Sequence, residues 1–179
     1  NGKRELWTKL LDEFDRVIEK KTADGTVTYS YTTDGKLSSV TDKTGTTKYT
    51  YDSMDGLKKA VYPNGEYVEY TYDDASRLTG VKTSYGTTSY EYDKLDRLVR
   101  VVDRNGYATV YEYDKNGNRS AVRYANGIVI TYKYDEVNRL ICEKALDKQG
   151  GIVAQYEYTL GAAGERTAVN ELDRTVEYT

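Results

Sequence analysis

The chain has 179 residues with 20 Tyr, 15 Gly, one each of Phe, Trp, Met, Pro and Cys, and no His; with a mean hydropathy of -0.77, it suits a thin sheet with a wet face better than a thick aliphatic core. Its 26 basic and 29 acidic residues are spread evenly to a net charge of -3, which disfavours nucleic acid and an anionic membrane surface as partners. Absent His, a Ser-His-Asp or Cys-His device is excluded, and the lone Cys142 can neither form an intrachain disulfide nor seed a soft-metal site.

In residues 1–24, Leu6, Leu10, Phe14 and Val17 fit a helical spacing, but Asp12-Glu13-Phe14-Asp15-Arg16-Val17 repeats the pattern of Asp93 to Leu98. This segment reads as a divergent first repeat or an N-terminal cap. Repeat phase favours a strand over a helix for residues 5–11. No stretch approaches the ~18 apolar residues of a membrane span.

From residue 25 to 179 a Tyr-x-Tyr pair recurs, its second member being Tyr31, Tyr51, Tyr72, Tyr92, Tyr113, Tyr134 and Tyr158. Spacings of 20, 21, 20, 21, 21 and 24 residues mark a repeat array. A first turn follows each pair, opened by Asp52, Asp73, Asp93, Asp114 or Asp135, with Asp, Gly, Ser or Asn three residues on. The leading Asp can accept from the turn backbone, and the later residue tolerates positive φ. A second turn lies six or seven residues before each second tyrosine, at Gly25, Gly45, Gly65, Gly86, Gly106, Gly127 and Gly151. Asn64-Gly65, Asn105-Gly106 and Asn126-Gly127 are dipeptides preferred by two-residue hairpin turns.

Between turns the residues alternate with period two, which predicts half-buried strands. Val68, Tyr70 and Tyr72 share one face, as do Ile130, Tyr132 and Tyr134. The returning strands, such as 78–81 and 98–102, alternate less cleanly. Small insertions at 145–151 and 160–164 are expected to form longer loops. The chain starts at Asn1 and stops in mid-pattern at Glu177-Tyr178-Thr179, so we expect a segment of something longer that associates end to end in isolation.

The Tyr-x-Tyr-Asp-x-x-Gly/Asp-Arg-Leu…Asn-Gly unit resembles the YD repeats of the Rhs family, which includes bacterial Rhs and wall-associated proteins, toxin-complex C components and teneurins. Tyr92-Asp93-Lys94-Leu95-Asp96-Arg97-Leu98 and Tyr113-Asp114-Lys115-Asn116-Gly117-Asn118-Arg119 are the clearest copies, and the resemblance spans about residues 10–179. It implies an all-β fold of tandem antiparallel hairpins in a long, curled, spiralling single-layer sheet, a partial shell or solenoid. It also implies a secreted or cell-surface protein whose shell encloses a C-terminal toxin or effector domain. Some sixteen strands agree with this, since open twisted sheets beyond ~10 strands tend to curl or split. The Asp-Pro-x-Gly type autoproteolytic motif of Rhs cores has no counterpart here, where the one proline, Pro63, follows Tyr62. Cleavage and toxicity therefore carry over to no residue of this chain.

No catalytic, cofactor-binding or metal-binding residue emerges. The acid pairs Asp12/Asp15, Asp52/Asp55 and Asp93/Asp96 could flank a glycosidic bond or a cation, but their repetition favours turn formation. The tyrosines read first as cross-strand ladders and second as platforms for sugar rings. Asn118-Arg119-Ser120 matches a glycosylation sequon within a repeat turn. The expected partners are therefore neighbouring repeats and an enclosed C-terminal domain. The alternative is an extracellular carbohydrate- or ligand-binding adhesive module.

Overall fold

The computed structural model describes residues 8–178. Residues 5–7 of the expected first strand lie outside them; within them the strand reading holds, as β1 (Thr8–Leu11). The chain divides into two compact units, Asn1–Thr88 and Ser89–Thr179.

In the first unit β1 is followed by β2 (Val17–Thr22), β3 (Gly25–Tyr31), β4 (Leu37–Asp42), β5 (Gly45–Tyr51), β6 (Leu57–Val61), β7 (Tyr67–Tyr72) and β8 (Leu78–Thr83). Each pairs antiparallel with the next. The strand β9 (Gly86–Tyr92) runs across the sequence boundary. In the second unit its Ser89–Tyr92 part pairs with β10 (Leu98–Val102). The meander continues through β11 (Ala108–Tyr113), β12 (Arg119–Arg123), β13 (Val129–Tyr134), β14 (Leu140–Leu146), β15 (Ile152–Leu160), β16 (Arg166–Glu171) and β17 (Thr175–Glu177). No helix occurs among the described residues, so the fold is all-β.

Alternation places the first tyrosine of five pairs opposite a small or branched residue on the returning strand, while Tyr132 and Tyr156 face Glu143 and Glu171. Tyr29 faces Val40, Tyr49 faces Ala60, Tyr70 faces Val81, Tyr90 faces Val101 and Tyr111 faces Val122. Of these partners Ala60 and Val122 are buried although each unit is a plain antiparallel meander. Pairs of this kind stabilise a sheet by about 0.2–1 kcal/mol each. The buried hydrophobic residues among those described are only Ala60, Ala121, Val122, Cys142 and Val169. Cys142 lies on β14 between Lys133 and Glu157 of the flanking strands.

The weaker alternation of the returning strands has a structural cause. Thr50 pairs with Lys59 and Tyr51 with Leu57, leaving Lys58 unopposed; Thr79, Val99, Ser120 and Ile141 are unopposed in the same way. One extra residue per returning strand is a β-bulge, which shifts alternation by one and adds local twist. A strict period of two therefore cannot run from Leu57 to Val61.

Two local expectations are corrected. The insertions near 145–151 and 160–164 lengthen strands rather than loops, because β14 extends to Leu146 and β15 runs nine residues. The turns that follow are as short as the rest, with the Asp147 N–H donating to the Gly151 carbonyl and that of Gly161 to Glu165. The Asn-Gly dipeptides do not make two-residue turns. Asn64, Asn105 and Asn126 stay outside positive φ, whereas Gly65, Gly106 and Gly127 take φ of 86°, 85° and 87°. This is a longer loop with a left-handed exit glycine, tied at Asn64 and Asn126 by Oδ1 accepting from the N–H two residues on. Two-residue loops occur instead at Ala23-Asp24 and Lys43-Thr44, between Thr22↔Gly25 and Asp42↔Gly45.

Candidate functional site

The polar side chains of each repeat converge on the first turn. The Asp93 backbone N–H donates to the Arg97 carbonyl at 2.9 Å, while the Asp96 N–H donates to the Asp93 carbonyl at 3.2 Å. Asp93 Oδ1 accepts from the N–H groups of Leu95 and Arg97 at 2.8 and 3.0 Å. Asp96 can exit at φ 61° because a short polar side chain tolerates the left-handed region. The same double acceptance recurs at Asp12, Asp52, Asp73, Asp114 and Asp135. Asp15, Asp55, Ser76 and Asn138 hold the positive-φ exit, as do Gly35 and Gly117. These acid pairs thus have their leading carboxylate engaged with the turn backbone.

The fourth residue past the Asp adds a clasp to the next repeat. Arg97 Nε donates to Asp93 Oδ2 at 2.7 Å, and its guanidinium lies over the Tyr113 ring at 4.5 Å. Arg16 does the same between Asp12, at 2.7 Å, and Tyr31, at 4.6 Å. Arg77 and Arg139 pair with Asp73 and Asp135, and Lys36 sits over Tyr51.

The second tyrosine closes the joint through its hydroxyl. Tyr31 donates to the Val17 carbonyl at 2.8 Å, Tyr51 to Leu37 at 2.9 Å, Tyr72 to Leu57 at 3.0 Å, Tyr113 to Leu98 at 2.8 Å and Tyr134 to Arg119 at 3.0 Å. Each acceptor lies just after the preceding first turn, opened by Asp or, before Leu37, by Thr32. Burial pushes the phenols of Tyr72, Tyr134 and Tyr158 up, with the Asp52 charge adding to the effect at Tyr72.

Sequence reasoning singled out the tyrosines, aspartates and glycines but not the arginines. Their signal was the Asp-x-x-x-Arg spacing with a tyrosine 15 or 16 residues further on, as in Arg16/Tyr31 and Arg97/Tyr113. At the second turns Gly25, Gly45 and Gly86 take φ of 140°, 124° and 135°. Gly151 closes its turn, donating its N–H to Asp147 Oδ1 at 2.7 Å, while the preceding Gly150 carries the positive φ, 86°. Asn118 of the sequon stands in the arginine slot, where its Nδ2 donates to Asp114 Oδ2 and Asn138 Oδ1.

Several open clefts lie at the turns. One of about 260 Å³ is bounded by Asp52, Met54, Gly56, Tyr72, Asp73 and Ser76. One of about 410 Å³ lies at the second turns, against Val101, Asp103, Tyr107, Thr109, Tyr124 and Asn126. Among the described residues no group of three or more His, Cys, Asp or Glu is arranged to hold a metal ion, and no helix is long and apolar enough to cross a membrane.

Two family models match the sequence: the RHS repeat over residues 92–129 and 113–152, and the teneurin YD-shell over residues 7–88. Among solved structures, the chain is similar to the crystal structure of TcdB2-TccC3-TEV at 14% identity and a TM-score of 0.63, covering 93% of this chain and 11% of that one. It is also similar to TcdB2-TccC3 (14%, 0.60, 93% and 12%), and to TcdB2-TccC3 without hypervariable C-terminal region (15%, 0.60, 91% and 13%). The likeness is one of fold, and the chain spans about an eighth of those chains' length or less. No curated protein matches it. With its hairpin meander, its Tyr-Asp phase and the two family models that match it, the chain belongs to the YD/Rhs repeat family.

Proposed function

We propose that this chain is a non-catalytic length of shell wall in a larger secreted or surface-delivered protein, and that the wall encloses a C-terminal effector domain. The observation that carries the proposal is the joint between repeats. Tyrosine hydroxyls and arginine guanidinium groups, which in an enzyme or a receptor would face a ligand, are engaged with the neighbouring turn. Such a device stiffens a sheet strip, which is what a container wall requires. The match to the teneurin YD-shell model supports the reading, and so does the likeness to TcdB2-TccC3 chains, one of them described without its hypervariable C-terminal region.

The test is limited proteolysis of the parent protein carrying its downstream sequence. An enclosed domain stays intact under conditions that digest the same domain made alone. Equal digestion rates would reject the proposal.

A second reading, an adhesive module for saccharides, is favoured by the 410 Å³ cleft, where Tyr107 and Tyr124 are exposed. Aromatic faces there stand beside Asp103, whose Oδ1 alone takes the turn N–H groups of Asn105 and Tyr107. Selective retention on a glycan array, lost in Tyr107→Ala, would favour that module over the wall.

A further inference from the structure

The repeats carry their own template for a ligand. At Asp93 and Asp12 a guanidinium is held in two ways at once, by a carboxylate Oδ2 and by the ring of the tyrosine one repeat later. The third first turn has the same carboxylate and the same ring but no side chain between them. Asp52 Oδ1 accepts from the N–H groups of Met54 and Gly56 at 2.9 and 2.8 Å, and the Tyr72 hydroxyl donates to the Leu57 carbonyl at 3.0 Å. Both halves of the clasp are thus built. The position that is Arg16, Lys36, Arg77, Arg97 or Arg139 elsewhere is Gly56.

The space so opened is the cleft of about 260 Å³ bounded by Asp52, Met54, Gly56, Tyr72 and Ser76. A Cβ on Gly56 would stand 2.8 Å from Asp52 Oδ2 and 3.2 Å from Tyr72 Cε2, so carboxylate and ring lean directly over the glycine. Among the described residues Asp52 Oδ2 has no hydrogen-bond or ion-pair partner, whereas Asp12 and Asp135 spend theirs on Arg16 and Arg139. Exposed Asp74 lines the same cleft and adds negative charge at its mouth.

We propose that this cleft is a binding site for the guanidinium group of an arginine side chain supplied by a second polypeptide. The guanidinium would donate to Asp52 Oδ2 and stack on Tyr72, as Arg97 does within the chain on Asp93 and Tyr113. Planarity and a forked set of donors suit Arg better than Lys to a site made of a carboxylate edge and a ring face. The cation of Lys36 indeed lies further from its ring, at 5.4 Å.

The experiment is an NMR titration of the 179-residue chain with acetyl-arginine methylamide, acetyl-lysine methylamide and guanidinium chloride, at sodium chloride-matched ionic strength. The expected result is a saturable shift at the amides of Met54, Gly56, Leu57 and Ser76, about tenfold tighter for the arginine probe than for the lysine probe. Gly56→Arg should abolish it by filling the site from within. Arg97→Gly should gain a second saturable response, at Leu95 and Leu98 beside Tyr113, and does not depend on Gly56→Arg folding. Non-saturable shifts that track ionic strength would overturn the proposal, as would an undiminished response in folded Gly56→Arg or no new response in Arg97→Gly. Binding of free guanidinium without the arginine probe would overturn it too, because the site would then exclude a peptide-borne group.

Discussion

The Tyr113 hydroxyl donates to the backbone carbonyl of Leu98 at 2.8 Å, fifteen residues earlier. That contact joins one hairpin to the turn of the hairpin before it, and its equivalents begin at Tyr31, Tyr51, Tyr72 and Tyr134. Tyr113→Phe removes the donor, keeps the ring and leaves a half-buried carbonyl with one acceptor site unused. The expected loss is about 1 kcal/mol, read from urea unfolding.

The guanidinium of Arg97 over the same ring should couple to it energetically. A double-mutant cycle of Arg97→Ala and Tyr113→Leu is expected to give an interaction of about 0.5–1 kcal/mol. Additive single effects would mean that the stacking contributes nothing to stability.

Acid should loosen the turns. The Arg97 side chain, opposed by partial desolvation, holds the Asp93 carboxyl below the usual carboxylate range; Asp73 is lowered first by the Arg77 backbone N–H. Asp34 is lowered to about 2 by the Lys36 side chain and then by Thr32. A carboxyl whose folded value lies below its unfolded value, about 3.9, contributes stability that is fully present above the unfolded value. That contribution is lost as pH falls through the folded one. The melting temperature should therefore be flat through neutrality, where a chain with no His has no imidazole to titrate, and fall below about pH 4. Asp93→Asn keeps Oδ1 as an acceptor but should lower the plateau and flatten the acid limb.

Gly106 and Gly127 share the left-handed exit, at φ 85° and 87°, but not their surroundings. A Cβ on Gly106 meets nothing within 4 Å, whereas one on Gly127 would stand 2.7 Å from Lys148 Cβ of the adjacent turn. Gly106→Ala should cost about 1 kcal/mol from backbone strain alone. Gly127→Ala should cost measurably more, as a lower urea midpoint at unchanged slope.

The hairpin meander was legible because tyrosines, turn acids and glycines recur at one phase, so that each local preference agrees with its copies. Three features were not. The bulge beside Leu57 or Leu98 is a matter of backbone register, and its one residue is indistinguishable from imperfect alternation. The Arg16–Tyr31 and Arg97–Tyr113 contacts join residues 15 or 16 apart, which no helical or strand period brings together. The insertion before Asp147 read as loop because small and polar residues dominate it, yet Ala145 and Leu146 find partners in Ala154 and Ile152 and extend the ladder. The Asn-Gly pairs misled for a related reason: Asn64 and Asn126 use Oδ1 to tie the turn, which sets a longer loop than the dipeptide suggests.

The wall proposal is tested most directly by an electron cryomicroscopy map of the parent protein. The account predicts that residues 8–178 run as one length of the wall of a hollow container, with Tyr113 and its equivalents joining successive hairpins and separate density for the downstream domain inside. A free-standing strip with the downstream domain outside it would contradict the account.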